Sequence, residues 1–370
     1  MGNAPNSTKR CVIATPGHAV TGGPEALHQL ADRLNVLPGI EAVVRYIPPR
    51  SQAAVRHYQG LYPNAKESTR DISAESVLIL PESQNPGDWN GTGCRAKWIW
   101  WLSADRRFPI RSYAGWGHLF QSDYAMTKLG NLGFKGLMLT DYIRRPEARP
   151  NLPKEDLVAF NGSKSAPMAS LISLCFPNLR VIPLHTLTGS QVSDYLWRAK
   201  VYVDFGWHPG RDRLPREAAL RNCLVLTGRM GSAGSDIDIP IPANYKLSDR
   251  ASVNAIGEFI IRLLLEYDTR LNDFCEYRAW IRGQEEIFRN EVEVFANSCD
   301  SPEASQLCDS EVLGALDREY IELLEVLSTT RAIAHNLAID AQRLGSTIPV
   351  RVKATALLNR LVWRVQRSFS

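Results

Sequence analysis

Apolar positions along the first 145 residues alternate between two rhythms. Unbroken apolar runs read as strands buried on both faces: CVIAT (11–15), IEAVVRYI (40–47), SVLILPE (76–82), AKWIWWLS (96–103), HLFQS (118–122) and KGLMLTDYI (135–143). PEALHQLADRL (24–34) switches to helical spacing, with Leu27, Leu30, Ala31 and Leu34 on one face and Pro24 suited to a first helical turn. Residues 123–131 read as another helix. The alternation predicts an α/β unit on a parallel sheet.

The charged, proline-rich stretch RRPEARPNLPKED (144–156) breaks the rhythm and marks a domain boundary. Beyond it the style repeats. DLVAFNG, LRVIPL, KVYVDFG and CLVLTG read as strands, and SAPMASLISLCF and TGSQVSDYLWRA as helices. From about residue 250 the pattern is helical. The expected organisation is α/β, with two Rossmann-like doubly wound parallel-sheet domains over 1–145 and 146–300. A helical extension over 301–370 follows.

That extension ends in a basic amphipathic pattern. Ala354, Leu357, Leu358, Leu361 and Val365 share one side of a helical wheel, and Lys353, Arg360, Arg364 and Arg367 another. Residues 350–370 therefore read either as a helix on an anionic membrane surface or as one docked on its own protein.

Composition narrows the function classes. The chain has 370 residues and a net charge of +4, mildly basic and without the basic excess that would point to nucleic acid. Seven cysteines without CxxC spacing read as reduced thiols and not as a zinc site. The polar N-terminus, MGNAPNSTKR, has no apolar signal core, and Asn6 stands where a myristoylation pattern at Gly2 wants Ser or Thr. No run is long enough to span a membrane. A cytoplasmic protein, peripheral to the inner face of a membrane at most, is expected.

The chemistry concentrates in HPGRDRLPREAALRNCLVLTG (208–228), between two strands. Pro215 suits the first turn of a short helix running to about Arg221. Arg211, Arg213 and Arg216 crowd its start, where free N–H groups and a positive dipole already favour anions. Glu217 reads either as an arginine partner or as an acceptor for sugar hydroxyls. FNGSKSA (160–166) places Lys164 at another helix entry on the same sheet. Gly22-Gly23 precedes the first helix and lets backbone approach a ligand, but it is neither a GxGxxG nor a GxxxxGK[ST] motif. Asp105, after a strand, reads either as a cleft carboxylate or as a partner of Arg106 or Arg107. Asp236-Ile-Asp238 has the spacing of a cation-holding DxD triplet, with little around it to favour a metal.

In TGGPEALHQLADRL, FNGSK and DFGWHPGRDRLPREAALRNCLVLTGRMGSA, over residues 10–300, the chain resembles GT-B-type glycosyltransferases of the retaining family-four-like (group 1) kind. The resemblance implies transfer of a sugar from a nucleotide-diphosphate-sugar donor to a glycan or lipid-linked acceptor, with no cofactor and no metal. It assigns diphosphate contacts to Lys164 and to the Gly22-Gly23 loop, and the donor ribose to Glu217. Two departures stand out: position 209 is Pro where the family carries a glutamate, and the usual arginine before the lysine is missing. Asn161 stands nearby, and Arg213 or Arg216 takes that arginine's place in this reading. His208 and Thr227 complete the donor-binding set. Asp105 or His118 replaces the family's cleft histidine, making Asp105, His118 and Glu217 the catalytic candidates. The rival expectation is a GT-B-like protein that binds nucleotide, glycan or a partner without turnover.

Overall fold

The computed structural model describes residues 8–302, apart from 19, 106, 148–151, 163 and 249–250. The region from 303 onward, which carries the expected extension and basic tail, lies outside the described residues. In chain order the elements are β1 (Lys9–Gly17), α1 (Gly22–Leu34), β2 (Ile40–Arg50), α2 (Gln52–Leu61), β3 (Lys66–Glu67), β4 (Ser76–Pro81), β5 (Ala96–Trp101), β6 (Gly117–Phe120), α3 (Asp123–Gly130) and β7 (Gly136–Met138). There follow β8 (Glu155–Phe160), α4 (Ala166–Cys175), β9 (Arg180–Pro183), α5 (Gly189–Arg198), β10 (Ala199–Asp204), α6 (Arg213–Leu220), β11 (Leu224–Thr227), α7 (Val253–Leu265), α8 (Tyr267–Arg270) and α9 (Cys275–Ser298).

The strands form two all-parallel sheets, ordered β3-β2-β1-β4-β5-β6-β7 and β11-β10-β8-β9. Strand periodicity explains why the apolar runs are unbroken. Cys11 and Ile13 join Leu27, Leu30 and Leu34 of α1 in one core, while Val12 and Ala14 face the opposite core with Trp101 and Phe120. Each fully buried leucine of α1 contributes about 1.5–3 kcal/mol. β7 is shorter than the run 135–143 suggests. It stops at Met138, and Thr140 and Asp141 leave the sheet to bond partners outside it.

Helix α9 ties the units together. Tyr277 and Ile281 sit in the second sheet's core, and Phe288, Val292 and Phe295 in the first's. A rise of about 1.5 Å per residue carries the helix from one to the other. Trp98 Nε1 donates to the Cys299 carbonyl at 2.8 Å, and Lys9 pairs with Asp300 at 2.8 Å. The last part of the span 146–300 thus packs back on the first unit. Among the described residues no helix is long and apolar enough to cross a membrane.

The sheet orders also place the site. The order in which successive strands are added reverses between β1 and β4 in one sheet and between β8 and β10 in the other. Ligands of open parallel sheets bind outside the strands' carboxyl ends at such switch points. The loops after β1, β8 and β10 occupy these positions.

Candidate functional site

Loops from both sheets line a cavity of about 240 Å³: Gly22 and Gly23 after β1, Leu102 after β5, Gln121 after β6, Asn161 after β8, and Arg211 to Leu214 entering α6. Gly22 is required by close approach, because a Cβ there would lie 2.4 Å from Arg213 Cδ. Gly206 likewise leaves room for Lys164, whose Cβ would lie 2.1 Å from an added Cβ.

On the second-sheet side stands a ladder of alternating charges. Asn161 donates to Asp204 Oδ2 at 2.7 Å, and its own Oδ1 accepts from the Lys164 backbone N–H. His208 is wholly buried, with Nε2 3.4 Å from Asp204 and Nδ1 2.9 Å from Asp212 Oδ2. Lys164 Nζ pairs with the same Asp212 oxygen. Burial works against charge on His208, but the two carboxylates outweigh it and raise the imidazole to about 9. Asp204 and Asp212 are held below the ordinary carboxylate range: burial opposes this, and His208 and Lys164 overcome it.

Asp204, His208 and Asp212 are the cluster nearest to a metal-ligand set. Each ring nitrogen of His208 faces a carboxylate, and Lys164 pairs with Asp212. The DxD residues part company: Asp236 pairs with Lys246 at 2.6 Å, while Asp238 accepts the backbone N–H groups of Asp123 and Tyr124 at 2.9 Å each.

The arginine loop is bound to the first unit. Arg216 is 1% exposed; its Nη2 donates to both oxygens of Asp141, at 2.8 and 3.0 Å, and to the Arg211 carbonyl at 2.7 Å. This corrects the expectation of Arg216 on a donor diphosphate, because the guanidinium has no open face. Arg213 does line the cavity, yet it meets Glu25 at 3.0 Å, Asp141 at 3.2 Å and Glu217 at 3.6 Å. Gln121 bridges the units, donating to Asp141 at 2.9 Å and accepting the Arg211 backbone N–H at 2.9 Å. Arg211 stacks on Trp280 and lies 3.4 Å from Asp238.

The catalytic candidates separate. Asp105 accepts from Trp207 Nε1 at 3.1 Å and faces Lys128 at 3.9 Å, so it joins the two units at the cleft's edge; burial raises its carboxyl. Glu217 lies on α6 beside Arg213 and does not line the cavity. His118 has a core placement that corrects its cleft role. It is fully buried beside Phe134, accepts from Trp101 Nε1 at 3.1 Å, and is pushed down to about 3 by burial. Thr227 is also fully buried, and its hydroxyl has no partner among the described residues.

Sequence reasoning passed over Glu25, Glu82, Gln121, Asp141, Asp204 and Asp212. Glu82 is a buried carboxyl just past β4. It accepts the Leu102 N–H at 3.1 Å, and burial raises it to about 7 against the pull of that N–H and of Arg107. A position just past a strand's carboxyl end is the signal that Glu82, Gln121 and Asp141 share.

No protein-family model matches the sequence, and no curated protein does. Solved structures do. HepE from Anabaena, in complex with UDP-glucose, superposes with a TM-score of 0.55 at 10% identity, covering 78% of this chain and 98% of that one. The N-terminal domain of Candida albicans trehalose-6-phosphate phosphatase gives 0.50 at 8% identity, covering 81% and 99%. S. aureus TarM, in complex with fondaparinux, alpha-GlcNAc-glycerol and UDP, gives 0.45 at 12% identity. That match covers 62% of this chain and 56% of the TarM chain, so the chain spans little more than half of TarM's length. The likeness shows the fold: two Rossmann-like units in the GT-B arrangement.

Proposed function

We infer that this GT-B-fold chain is a glycosyltransferase that moves a sugar from a nucleotide-diphosphate donor to a glycan or lipid-linked acceptor. The observation that carries the reading is a cavity into which switch-point loops of both sheets converge. Gly22 and Gly23 supply backbone from one side. Asn161, Arg211, Asp212 and Arg213 supply polar groups from the other. HepE, the neighbour with a TM-score of 0.55, holds UDP-glucose.

In this reading Lys164 and Arg213 exchange their carboxylate partners for donor phosphate. Charge that develops on the leaving diphosphate is then stabilised by fixed cations and the start of α6. No step requires a metal, and a retaining outcome fits a site in which the leaving phosphate itself takes the acceptor's proton. Asp105 and Glu217 border the site rather than line the cavity. The acceptor approaches from the side of the first sheet, and the basic tail 350–370 keeps the enzyme near anionic lipid.

A second reading is binding without turnover. What favours it is that Lys164, Arg213 and Arg216 all have carboxylate partners already. The two part in one assay. Purified protein is incubated with UDP-, GDP- and ADP-glucose plus a glycan and lipid-linked acceptor extract, and release of nucleoside diphosphate is followed. Acceptor-dependent release supports transfer. Binding of a donor without release over hours supports the second reading, and neither binding nor release defeats both.

A further inference from the structure

We propose that Asp212 is the sugar-recognising carboxylate of the cavity, accepting hydrogen bonds from ligand hydroxyls through Oδ1. The proposal rests on the reading of the cavity as a nucleotide-sugar site. It names a residue that the sequence resemblance does not assign.

Only one of the two Asp212 carboxylate oxygens is taken. Lys164 Nζ and His208 Nδ1 both contact Oδ2. Among the described residues nothing bonds Oδ1. Asp212 lines the cavity, and its side chain is 24% exposed although its neighbours His208 and Asp204 are sealed. An ionised carboxylate is acceptor-only, so its open oxygen calls for a donor. His208 Nδ1 stays on Oδ2 when Lys164 turns to donor phosphate, so Asp212 remains ionised with its plane held, and orienting a ligand requires both.

The open oxygen also selects among ligands. It accepts from a hydroxyl, whereas an ionised phosphate oxygen has no proton to donate and is repelled by it. The matching chemistry is a polyhydroxylated ring, with its hydroxyls near Asp212 Oδ1 and its phosphates toward Gly22 and Arg213.

Titration calorimetry tests this on the full chain and on Asp212→Asn. The probes are UDP, GDP and ADP, each bare and as the glucose conjugate, with free glucose 1-phosphate. Asp212→Asn should weaken the preferred glucose conjugate by about tenfold, the scale of one hydrogen bond to a charged group. Affinity for the bare diphosphate should hold or rise, because a negative charge beside Lys164 has gone. A merely structural role would lower both together, and that result, or no change in either, overturns the proposal. If Asp212→Asn fails to fold, Asp212→Glu keeps the charge but shifts the open oxygen, and the same loss of the conjugate's advantage is expected. Should the wild-type chain bind no nucleotide but lose glucose 1-phosphate on substitution, the nucleotide reading fails and Asp212's role stands. No binding of any probe by the wild type overturns both.

Discussion

Two helix-opening loops face each other across the cavity, and they are built in opposite ways. The loop into α1 brings Gly22 and Gly23, small and uncharged, with backbone as the offered chemistry. The loop into α6 brings His208, Arg211, Asp212, Arg213 and Arg216, yet nearly all of that charge is matched by carboxylates. The poorer-looking loop is the more open one. Charge density along a chain measures what a site contains, not what it has left over for a ligand. A buried guanidinium must be paired: the first unit supplies Glu25 and Asp141 to Arg213 and Arg216, and Asp238 of the second unit faces Arg211.

The contrast can be broken most forcefully at Asp141. It is a buried acceptor for Arg216, Arg213 and Gln121. Asp141→Ala should destabilise the fold by about 3–5 kcal/mol in denaturant unfolding, since it strands a buried Arg216. A loss below about 1 kcal/mol would mean that the arginines find water or other partners.

His208 comes next. Its folded-state pKa, about 9, lies above the ordinary histidine value, so its stabilisation is complete below about pH 6.5 and is lost as pH rises through 9. Thermal unfolding should show stability falling between those limits by on the order of 3 kcal/mol. His208→Gln should flatten that slope. An unchanged slope would show that the imidazole is neutral between its two aspartates.

Smaller effects sharpen the picture. Arg213→Ala should weaken binding of the preferred nucleotide sugar by about 1.5–3 kcal/mol, the worth of a charge-assisted bond. Unchanged affinity in calorimetry would make Arg213 a structural residue like Arg216. Gly22→Ala should cost about 1 kcal/mol or more in stability by driving Arg213 aside, and a neutral substitution would show that side chain to be loosely held.

The strands were plain in the sequence because burial on both faces leaves an unbroken apolar run, as in Val77 to Leu80. The short edge strand β3 and helix α2 went unread, since Lys66–Glu67 has no apolar signal and α2 buries only Ala54, Val55 and Tyr58. Gly22, Gly23 and Arg213, which the sequence places at helix entries, and Asn161, at a strand end, do line the cavity. The placements of Arg216 and His118 were not legible, because pairing and burial are set by residues far along the chain: Asp141 is 75 positions from Arg216. Asp212 was visible only as one letter in an arginine-rich run, and its partner Lys164 comes from a different loop.

The most direct measurement is titration of the wild-type chain with inorganic pyrophosphate alongside UDP-, GDP- and ADP-glucose. Pyrophosphate should bind weakly, at about millimolar strength or worse, while one nucleotide sugar binds at least about tenfold tighter. Pyrophosphate that binds as tightly as every nucleotide sugar would show the cations to be free for any anion, and would contradict a cleft whose charge is already spent within the fold.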